Sequence, residues 1–316
     1  MIAGVEIGGT KTQICVGSTD GTIKKTVRGR VETEKGSQGI LDWIQENLTA
    51  LIKEETEQGN KIEAIGVGFG GPLETETGRI MKSVQIAGWN DFCLKKWFED
   101  TFHIPSFIYN DSSAAGYGEY ILGSGKGTKQ FFYTNMGSGV GGSLIIDGNL
   151  YDGQGYGAAE LGQTRVPDWT SDQPGKDERL EAICSGWAIE QRLRKPGYIP
   201  ADSILMKMCE GESSKVTNQM LGEAAKQNDA FALAELDRVA NTMSIALANV
   251  LCLMQVERIA VGGGFSLIGE PLFEPLRKYT KQREFISNTG HYEVEQCKLG
   301  EAIVLQGAML LAAKEL

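Results

Sequence analysis

The sequence predicts an α/β protein in which one β unit occurs twice. The first copy, residues 2–26, reads as an apolar strand, a glycine-rich turn, a second strand, a hairpin turn at Asp20-Gly21 and a third strand. Residues 131–153 repeat that order, with a glycine-rich turn over 137–142 and a hairpin at Asp147-Gly148. Elsewhere strands alternate with helices, which is typical of α/β domains.

The segments between the two copies alternate in type. Apolar residues at helical spacing predict a helix over 38–57. An apolar run with a glycine-proline turn predicts a buried strand over 62–73, and a helix over 91–102 follows. Residues 104–111 return as a strand, and a helix over 111–120 begins at its end.

The part after the second copy is mainly helical. From about residue 177 the apolar spacing predicts helix through 178–194, and a long helix over 229–254. A last strand over 257–264 ends in three glycines and leads to a helix over 269–283. The C-terminal residues 301–316 are apolar enough to pack as a helix.

Length predicts two domains, because 316 residues exceed the usual size of one core. We expect a small α/β domain over 1–115, completed by the helix at 301–316, and a larger one over 116–300, joined around a cleft. No apolar run approaches the ~20 residues that span a bilayer, and the N-terminus lacks the basic start of a signal peptide. A cytoplasmic protein without a membrane partner is expected.

Charge and composition exclude several functions. A net charge of -10 argues against binding nucleic acid, which needs clustered Lys and Arg. The six cysteines include no CxxC pair that could form a metal or redox site. With only two histidines, the chain has few residues from which to build a histidine-rich metal site or a serine-histidine triad.

The two glycine-rich turns are candidate phosphate sites. A glycine turn after a strand can direct several backbone N–H groups at one anion. Two such turns could hold the ends of a polyphosphate, which indicates a nucleotide-using enzyme. The alternative is that each makes only a tight turn, since glycine is the usual turn residue. The duplication favours the functional interpretation.

Carboxylates at two kinds of position are candidates for chemistry. Asp111 stands where a strand ends and a helix begins, so it is either a helix N-cap or a base that accepts a proton from a hydroxyl nucleophile. Glu160 and Glu181 are isolated glutamates, which in most proteins are solvated surface residues. Gly262-Gly263-Gly264 after the last strand could admit a flat ring or a phosphate, or make only a turn.

Taken together, these segments resemble the ROK group of sugar kinases and repressors, which has the actin-like, hexokinase-type ATPase fold. The resemblance runs essentially end to end. It rests on residues 7–12 and 137–142 as phosphate motifs, 110–115 as the sugar and catalytic segment, 160–162 and 180–182 as sugar segments, and 261–266 as the adenosine motif.

The resemblance implies roles residue by residue. Asp111 would be the general base for an attacking sugar hydroxyl. The sugar-binding residues would be Gly71, Asn110, Asp111, Glu160, Gln163 and Glu181. The nucleotide-binding residues would be Gly8, Gly9, Thr10, Lys11, Gly137, Ser138, Gly139, Gly263 and Gly264. ATP would be the phosphoryl donor, Mg²⁺ would bridge its phosphates, and Glu6 would be a candidate magnesium residue.

Three departures from the family pattern stand out. Glu6 replaces the usual aspartate, and Gln163 replaces a histidine. Residues 164–180 hold neither cysteine nor histidine, so we expect no structural zinc, which needs about four N or S ligands. Pro167, Trp169 and Pro174 are candidates for ordering that loop instead.

The resulting expectation is ATP-dependent phosphorylation of a hexose or N-acetylhexosamine hydroxyl. The alternative is a catalytically impaired sugar-binding or sensing protein, suggested by Glu6 and Gln163. A repressor is disfavoured, because its DNA-binding module would precede the first phosphate motif, where only a few residues stand. Glucose, N-acetylmannosamine, N-acetylglucosamine, fructose and allose kinases share the framework, and Gln85 stands where an asparagine often contacts the sugar. The resemblance also implies a homo-oligomer, a dimer.

Overall fold

A computed structural model of the chain describes residues 1–9, 11–81 and 86–316. Thr10 and Gln85 lie outside the described residues. The contacts of the chain divide it into two compact units. Unit 1 comprises residues 1–127, 143–159 and 298–316, and unit 2 comprises residues 128–142 and 160–297. The division into domains at residue 115 stays a prediction.

The predicted elements occur in the predicted order, and the structure adds short strands and helices between them. The strands are β1 Ile2–Ile7, β2 Lys11–Gly17, β3 Ile23–Arg30, β4 Ala64–Phe69, β5 Leu73–Glu74, β6 Arg79–Ile80, β7 Ser106–Asn110, β8 Gln130–Asn135, β9 Gly142–Ile146, β10 Asn149–Tyr151, β11 Arg165–Pro167, β12 Asp177–Arg179, β13 Arg258–Gly262 and β14 Glu293–Gln296. The helices are α1 Gly36–Glu57, α2 Leu94–Phe102, α3 Asp111–Leu122, α4 Leu180–Cys184, α5 Gly186–Leu193, α6 Ile204–Met208, α7 Asn218–Lys226, α8 Ala230–Met254, α9 Glu270–Arg283 and α10 Ile303–Lys314.

The first sheet has the strand order β3-β2-β1-β4-β7. β1, β2 and β3 run antiparallel, as the first β unit predicts, whereas β1, β4 and β7 run parallel. Every residue of β1 and β4 is buried, as is usual for strands covered on both faces. The carboxyl ends of the parallel strands therefore meet at one edge, where Phe69 pairs with both Ile7 and Asn110.

Close helix packing in unit 1 depends on small residues. α10 packs against α3, and a Cβ added at Gly307 would lie 1.7 Å from the carbonyl oxygen of Ala114. On α1, buried apolar side chains recur at helical spacing and join the core beside the sheet; they include Ile40, Ile44, Leu48 and Leu51. The helices predicted over 38–57 and 301–316 thus form as their apolar spacing requires.

The second sheet has the strand order β10-β9-β8-β13-β14. β8, β13 and β14 run parallel, and β9 forms an antiparallel hairpin with β10. The second β unit therefore folds as its sequence predicts. Within the described part of the chain, no helix combines the length and apolar character needed to cross a membrane.

The expectation of helix from residue 177 was wrong in two details. Residues 177–179 form β12, which pairs with β11 in a hairpin. The helix that follows is broken at Ser185, whose hydroxyl accepts a hydrogen bond from the N–H of Ala188 and so caps α5. Such a cap ends one helix and begins another despite continuous apolar spacing.

Glu119 is a fully buried carboxylate that ties two distant segments of unit 1 together. Its oxygens accept hydrogen bonds from Ser124 N, Ser124 Oγ, Lys298 N and Leu299 N, at 2.8, 2.8, 2.7 and 3.0 Å. A Cβ at Gly123 would lie 2.3 Å from the carboxylate, so glycine leaves the space it occupies. Four hydrogen-bond donors thus satisfy the buried carboxylate.

We predict that Glu119→Gln destabilises the protein, because an amide nitrogen would face a backbone N–H donor. A loss of about 2–3 kcal/mol, or roughly 4–6 °C in the midpoint of thermal unfolding, is expected. Circular dichroism would measure it. Glu57→Gln, at an exposed position of α1, is the control and should leave the midpoint unchanged. Equal midpoints for the two variants would contradict the assigned role of Glu119.

Candidate functional site

In unit 1, the predicted site residues gather at the edge where β1, β4 and β7 end. The N–H of Gly8 donates to the carbonyl of Lys11 at 3.1 Å, which closes the first glycine turn. The N–H of Gly70 donates to the carbonyl of Ile7 at 3.0 Å, so the turn after β4 lies beside that glycine turn. Parallel strands place their following loops at one edge, where ligands bind in α/β sheets.

Asn110, and not Asp111, is the N-cap of α3. Its Oδ1 accepts from the N–H groups of Ser112 and Ser113 at 2.9 and 3.3 Å. Its Nδ2 donates to the carbonyl of Gly71 at 3.2 Å and so fixes the turn after β4. The interpretation of Asp111 as a mere N-cap was therefore wrong.

Asp111 is the first residue of α3, and its carboxylate lies in a space that glycine leaves open. A Cβ added at Gly70 would lie 3.2 Å from Oδ2. Oδ1 accepts from the N–H and the hydroxyl of Ser112 at 2.6 and 3.2 Å. Burial raises the pKa of Asp111 to about 6, the bonds from Ser112 lower it, and the charge of Glu6 raises it. The group is ionised at neutral pH but is more basic than an ordinary aspartate.

Glu6 is a second buried carboxylate of this edge. It accepts a hydrogen bond from Gln13 Nε2 at 2.7 Å and lies 3.5 Å from Lys11 Nζ. Burial raises the pKa of Glu6, while the charge of Lys11 lowers it. Mg²⁺ is usually held by one or two carboxylates together with substrate phosphates, so Glu6 fits such an ion by its chemistry.

In unit 2, the second glycine turn follows β8. The N–H of Gly137 donates to the carbonyl of Gly139 at 2.9 Å, and the N–H of Gly141 donates to Asn135 Oδ1 at 2.6 Å. The carbonyl of Gly137 accepts from the N–H of Trp187 at the start of α5, at 3.4 Å. Ser138 stands exposed at the tip of the turn.

Two predicted sugar residues of unit 2 contact each other beside that turn. Gln163 Nε2 donates to Glu181 Oε1 at 2.9 Å. A Cβ at Gly139 would lie 3.2 Å from Glu181 Oε2, so this carboxylate borders the glycine turn. Gly162 packs on Val140, where a Cβ would lie 2.1 Å from the carbonyl oxygen. Glu181 is thus more than an isolated solvated glutamate.

Glu160 is exposed and directly precedes the 3-10 turn Leu161–Gln163, where its carbonyl accepts from the N–H of Gln163 at 3.1 Å. The sequence pattern did not predict this turn or the β11–β12 hairpin, and so gave no role to Arg179, which ends β12 and also reaches Glu181.

The third glycine run borders a groove. Gly263 has φ +80° and a Cβ there would lie 2.6 Å from the backbone of Met136, so position 263 requires glycine. A Cβ at Gly264 would meet nothing within 4 Å. The open side of Gly264 faces a groove of about 440 Å³, whose other wall is α7; Asn218, Gly222, Glu223, Lys226 and Ile268 line it. The sequence pattern did not predict α7.

The residues present do not fit zinc. Among the described residues, no group of three or more His, Cys, Asp or Glu side chains could hold a metal ion. The loop over 164–180 is ordered by contacts of another kind. Trp169 Nε1 donates to Thr242 Oγ1 at 2.7 Å, and the guanidinium groups of Arg192 and Arg238 lie 4.7 and 5.1 Å from the centroid of the indole. The absence of structural zinc stays a prediction.

The described site residues therefore form two sets. Those of unit 1 are Glu6, Gly8, Gly9, Lys11, Gly71, Asn110 and Asp111. Those of unit 2 are Gly137, Ser138, Gly139, Glu160, Gln163, Glu181, Gly263 and Gly264. The magnesium, sugar and nucleotide roles of these residues stay predictions.

Known proteins resemble the chain over its whole length. The glucokinase of Thermotoga maritima is 31% identical over 308 residues, which cover 97% of this chain and 95% of that protein. The xylose repressor of Caldicellulosiruptor bescii is 24% identical and matches 100% of this chain but 78% of its own length.

A solved structure and a family model agree with these relatives. The crystal structure of a ROK family glucokinase from Streptomyces griseus, in complex with glucose and AMPPNP, is 28% identical, covers 99% of both chains and superposes with a TM-score of 0.82. The actin-like, hexokinase-type ATPase fold that the sequence predicts is therefore confirmed. Because the family model of the ROK family matches residues 2–315, the chain belongs to the ROK family.

Proposed function

We propose that the chain transfers the γ-phosphoryl group of ATP to a hydroxyl of a hexose or N-acetylhexosamine, with Asp111 as the general base. The observation that carries the proposal is the Asp111 carboxylate, desolvated to a pKa of about 6 and held at the sheet edge beside the first glycine turn. The glucokinases among the relatives, and the glucose and AMPPNP in the Streptomyces griseus structure, support the class of substrates.

The proposed reaction moves one proton and one phosphoryl group. Asp111 accepts the proton of the sugar hydroxyl, whose oxygen forms a bond to the γ-phosphorus while the bond to the bridging oxygen breaks and ADP leaves. A carboxylate with a pKa of about 6 accepts a proton more readily than an ordinary one, yet it is unprotonated at pH 7. Gly70 keeps this carboxylate unobstructed.

The phosphates are assigned to the two glycine turns and one lysine. In unit 1 these residues are Gly8, Gly9, Thr10 and Lys11, and in unit 2 they are Gly137, Ser138 and Gly139; Gly8 and Gly137 act by shaping their turns, because their own N–H groups are bonded within them. Phosphoryl transfer depends largely on positioning and on charge neutralisation. Magnesium, when bound, would neutralise phosphate charge, and Glu6 would be the residue that holds it.

The sugar and the nucleoside are assigned to different parts of the structure. Glu160 and Glu181 accept hydrogen bonds from sugar hydroxyls, and Gln163 can donate or accept them. Asn110 and Gly71 are the sugar candidates of unit 1. The amide of Asn110 is already used to cap α3 and to hold the Gly71 turn, so Asn110 acts mainly by shaping that turn. The nucleoside occupies the groove beside Gly264.

The second candidate is a sugar-binding protein without catalysis. The replacements at Glu6 and Gln163 favour it, and the family includes proteins named as repressors. The elevated pKa and the unobstructed position of Asp111 favour the kinase, since a sensor has no need for a desolvated base. A coupled ATP assay across glucose, N-acetylmannosamine, N-acetylglucosamine, fructose and allose separates the kinase from the sugar-binding protein.

A dimeric assembly and a cytoplasmic location stay predictions.

We predict that Asp111→Asn lowers the rate of sugar phosphorylation by about 10²–10⁴ without loss of ATP binding, because the amide keeps the shape but not the base. Since burial raises the folded-state pKa, ionised Asp111 costs stability at neutral pH, and the variant should be at least as stable as the wild type. Asp202→Asn, at an exposed position, is the control. Near-normal turnover by Asp111→Asn would contradict the assignment.

The pH dependence of catalysis is the next prediction. Below about pH 6, Asp111 becomes protonated, so kcat/KM should fall about tenfold per pH unit. Ser112→Ala removes a hydrogen bond that lowers this pKa, and should therefore move the profile to higher pH. ATP binding is followed separately at each pH as the control. A flat profile between pH 5 and 7 would be inconsistent with a base of this pKa.

A third prediction tests the groove. Gly264→Leu should raise KM for ATP at least about tenfold and leave KM for the sugar unchanged, because its side chain enters open space in the groove. Gly300→Leu has equally open surroundings outside the groove and is the control. An unchanged KM for ATP in Gly264→Leu would contradict the assignment of the nucleoside to this groove.

A further inference from the structure

Arg179 joins the two sugar-binding candidates of unit 2 into one network. Its Nη1 donates to Glu181 Oε1 at 3.2 Å and to Gln163 Oε1 at 3.5 Å. Gln163 Nε2 donates to the same Glu181 Oε1 at 2.9 Å. The guanidinium, the amide and the carboxylate thus form a closed triangle.

The triangle fixes the orientation of both partners. With a cation at its oxygen, the Gln163 amide must present its nitrogen to Glu181. Two donors on Oε1 hold the Glu181 carboxylate in one rotamer. Its other oxygen, Oε2, then lies next to Gly139. A carboxylate held in one orientation can accept a sugar hydroxyl without first losing side-chain freedom.

The backbone of Arg179 is itself held in place. Arg179 ends β12 and pairs with Arg165 of β11 across the hairpin. The loop of that hairpin is fastened to α8 by Trp169, through Thr242 and Arg238. Arg165 binds both carboxylate oxygens of Asp177, at 3.0 and 3.1 Å, and also Glu178 at 3.4 Å. Glu178 lies 4.0 Å from Arg179 Nε. Two arginines therefore face each other in one hairpin, and only Arg179 reaches Glu181.

We propose that Arg179 is a positioning residue for sugar binding, which holds Gln163 and Glu181 in the orientation that the sugar hydroxyls require. The proposal rests on the proposed function. It assigns the guanidinium no contact with the reacting atoms, so its effect belongs to sugar binding and not to the chemical step. The side chain of Arg179 is about half exposed, so its charge is partly screened.

The test compares Arg179→Gln with its cross-strand partner variant Arg165→Gln. Glucose and N-acetylmannosamine are the probes, and calorimetric Kd without ATP is measured together with kcat and both KM values. Arg179→Gln should raise the Kd and KM for the sugar about tenfold, with kcat and KM for ATP within about twofold. Arg165→Gln should stay within about twofold throughout, and Arg179→Lys should recover part of the loss.

A double-mutant cycle tests whether Arg179 acts through Glu181. In a Glu181→Gln background, Arg179→Gln should add less than about twofold, because the partner charge is already gone. Unchanged sugar affinity in Arg179→Gln, or an equal loss in Arg165→Gln, would overturn the proposal and leave the kinase assignment intact. A wild type that binds sugar but transfers no phosphate would instead overturn the proposed function, and the Kd comparison would still decide the role of Arg179.

Discussion

The constraint on which the site depends is the space that glycine leaves at the carboxyl ends of β1, β4 and β7. Asp111 occupies a position that a side chain at residue 70 would crowd, since a Cβ there would lie 3.2 Å from Oδ2. Burial of Asp111 at this edge removes water from the carboxylate and raises its pKa. Because Asn110 takes over the capping of α3, the carboxylate of Asp111 is available for other chemistry.

In unit 2, glycines also leave space for neighbouring groups. Gly139 leaves room for Glu181, and Gly263 admits the backbone of Met136. The absence of a side chain at these glycines therefore leaves room for the neighbouring group. It also permits the close backbone approach that a phosphate needs. At Gly264, whose surroundings are open, the space belongs to a groove.

Much of this arrangement could be predicted from the sequence. The two β units, α1, α3, α8 and α10 follow from apolar periodicity and from turn residues, which act over short distances. The breaks that were missed depend on single polar groups, as at Ser185, where a hydroxyl competes for a backbone N–H. The β11–β12 hairpin was missed because its strands are three residues long and its stability comes from Trp169, Arg192 and Arg238, which lie far apart in the chain.

The residue types of the candidate site could be predicted from the sequence, but the contacts between them could not. The carboxylates and glycine turns stand in recognisable motifs, whereas Arg179 becomes meaningful only through its contacts with Gln163 and Glu181. The raised pKa of Asp111 can be measured by a ¹³C NMR titration of the aspartate carboxyl groups, with Asp111→Asn to assign the resonance. We expect a carboxyl resonance with a pKa of about 6 that is missing from the variant. A pKa for Asp111 near the ordinary 3.8 would contradict it.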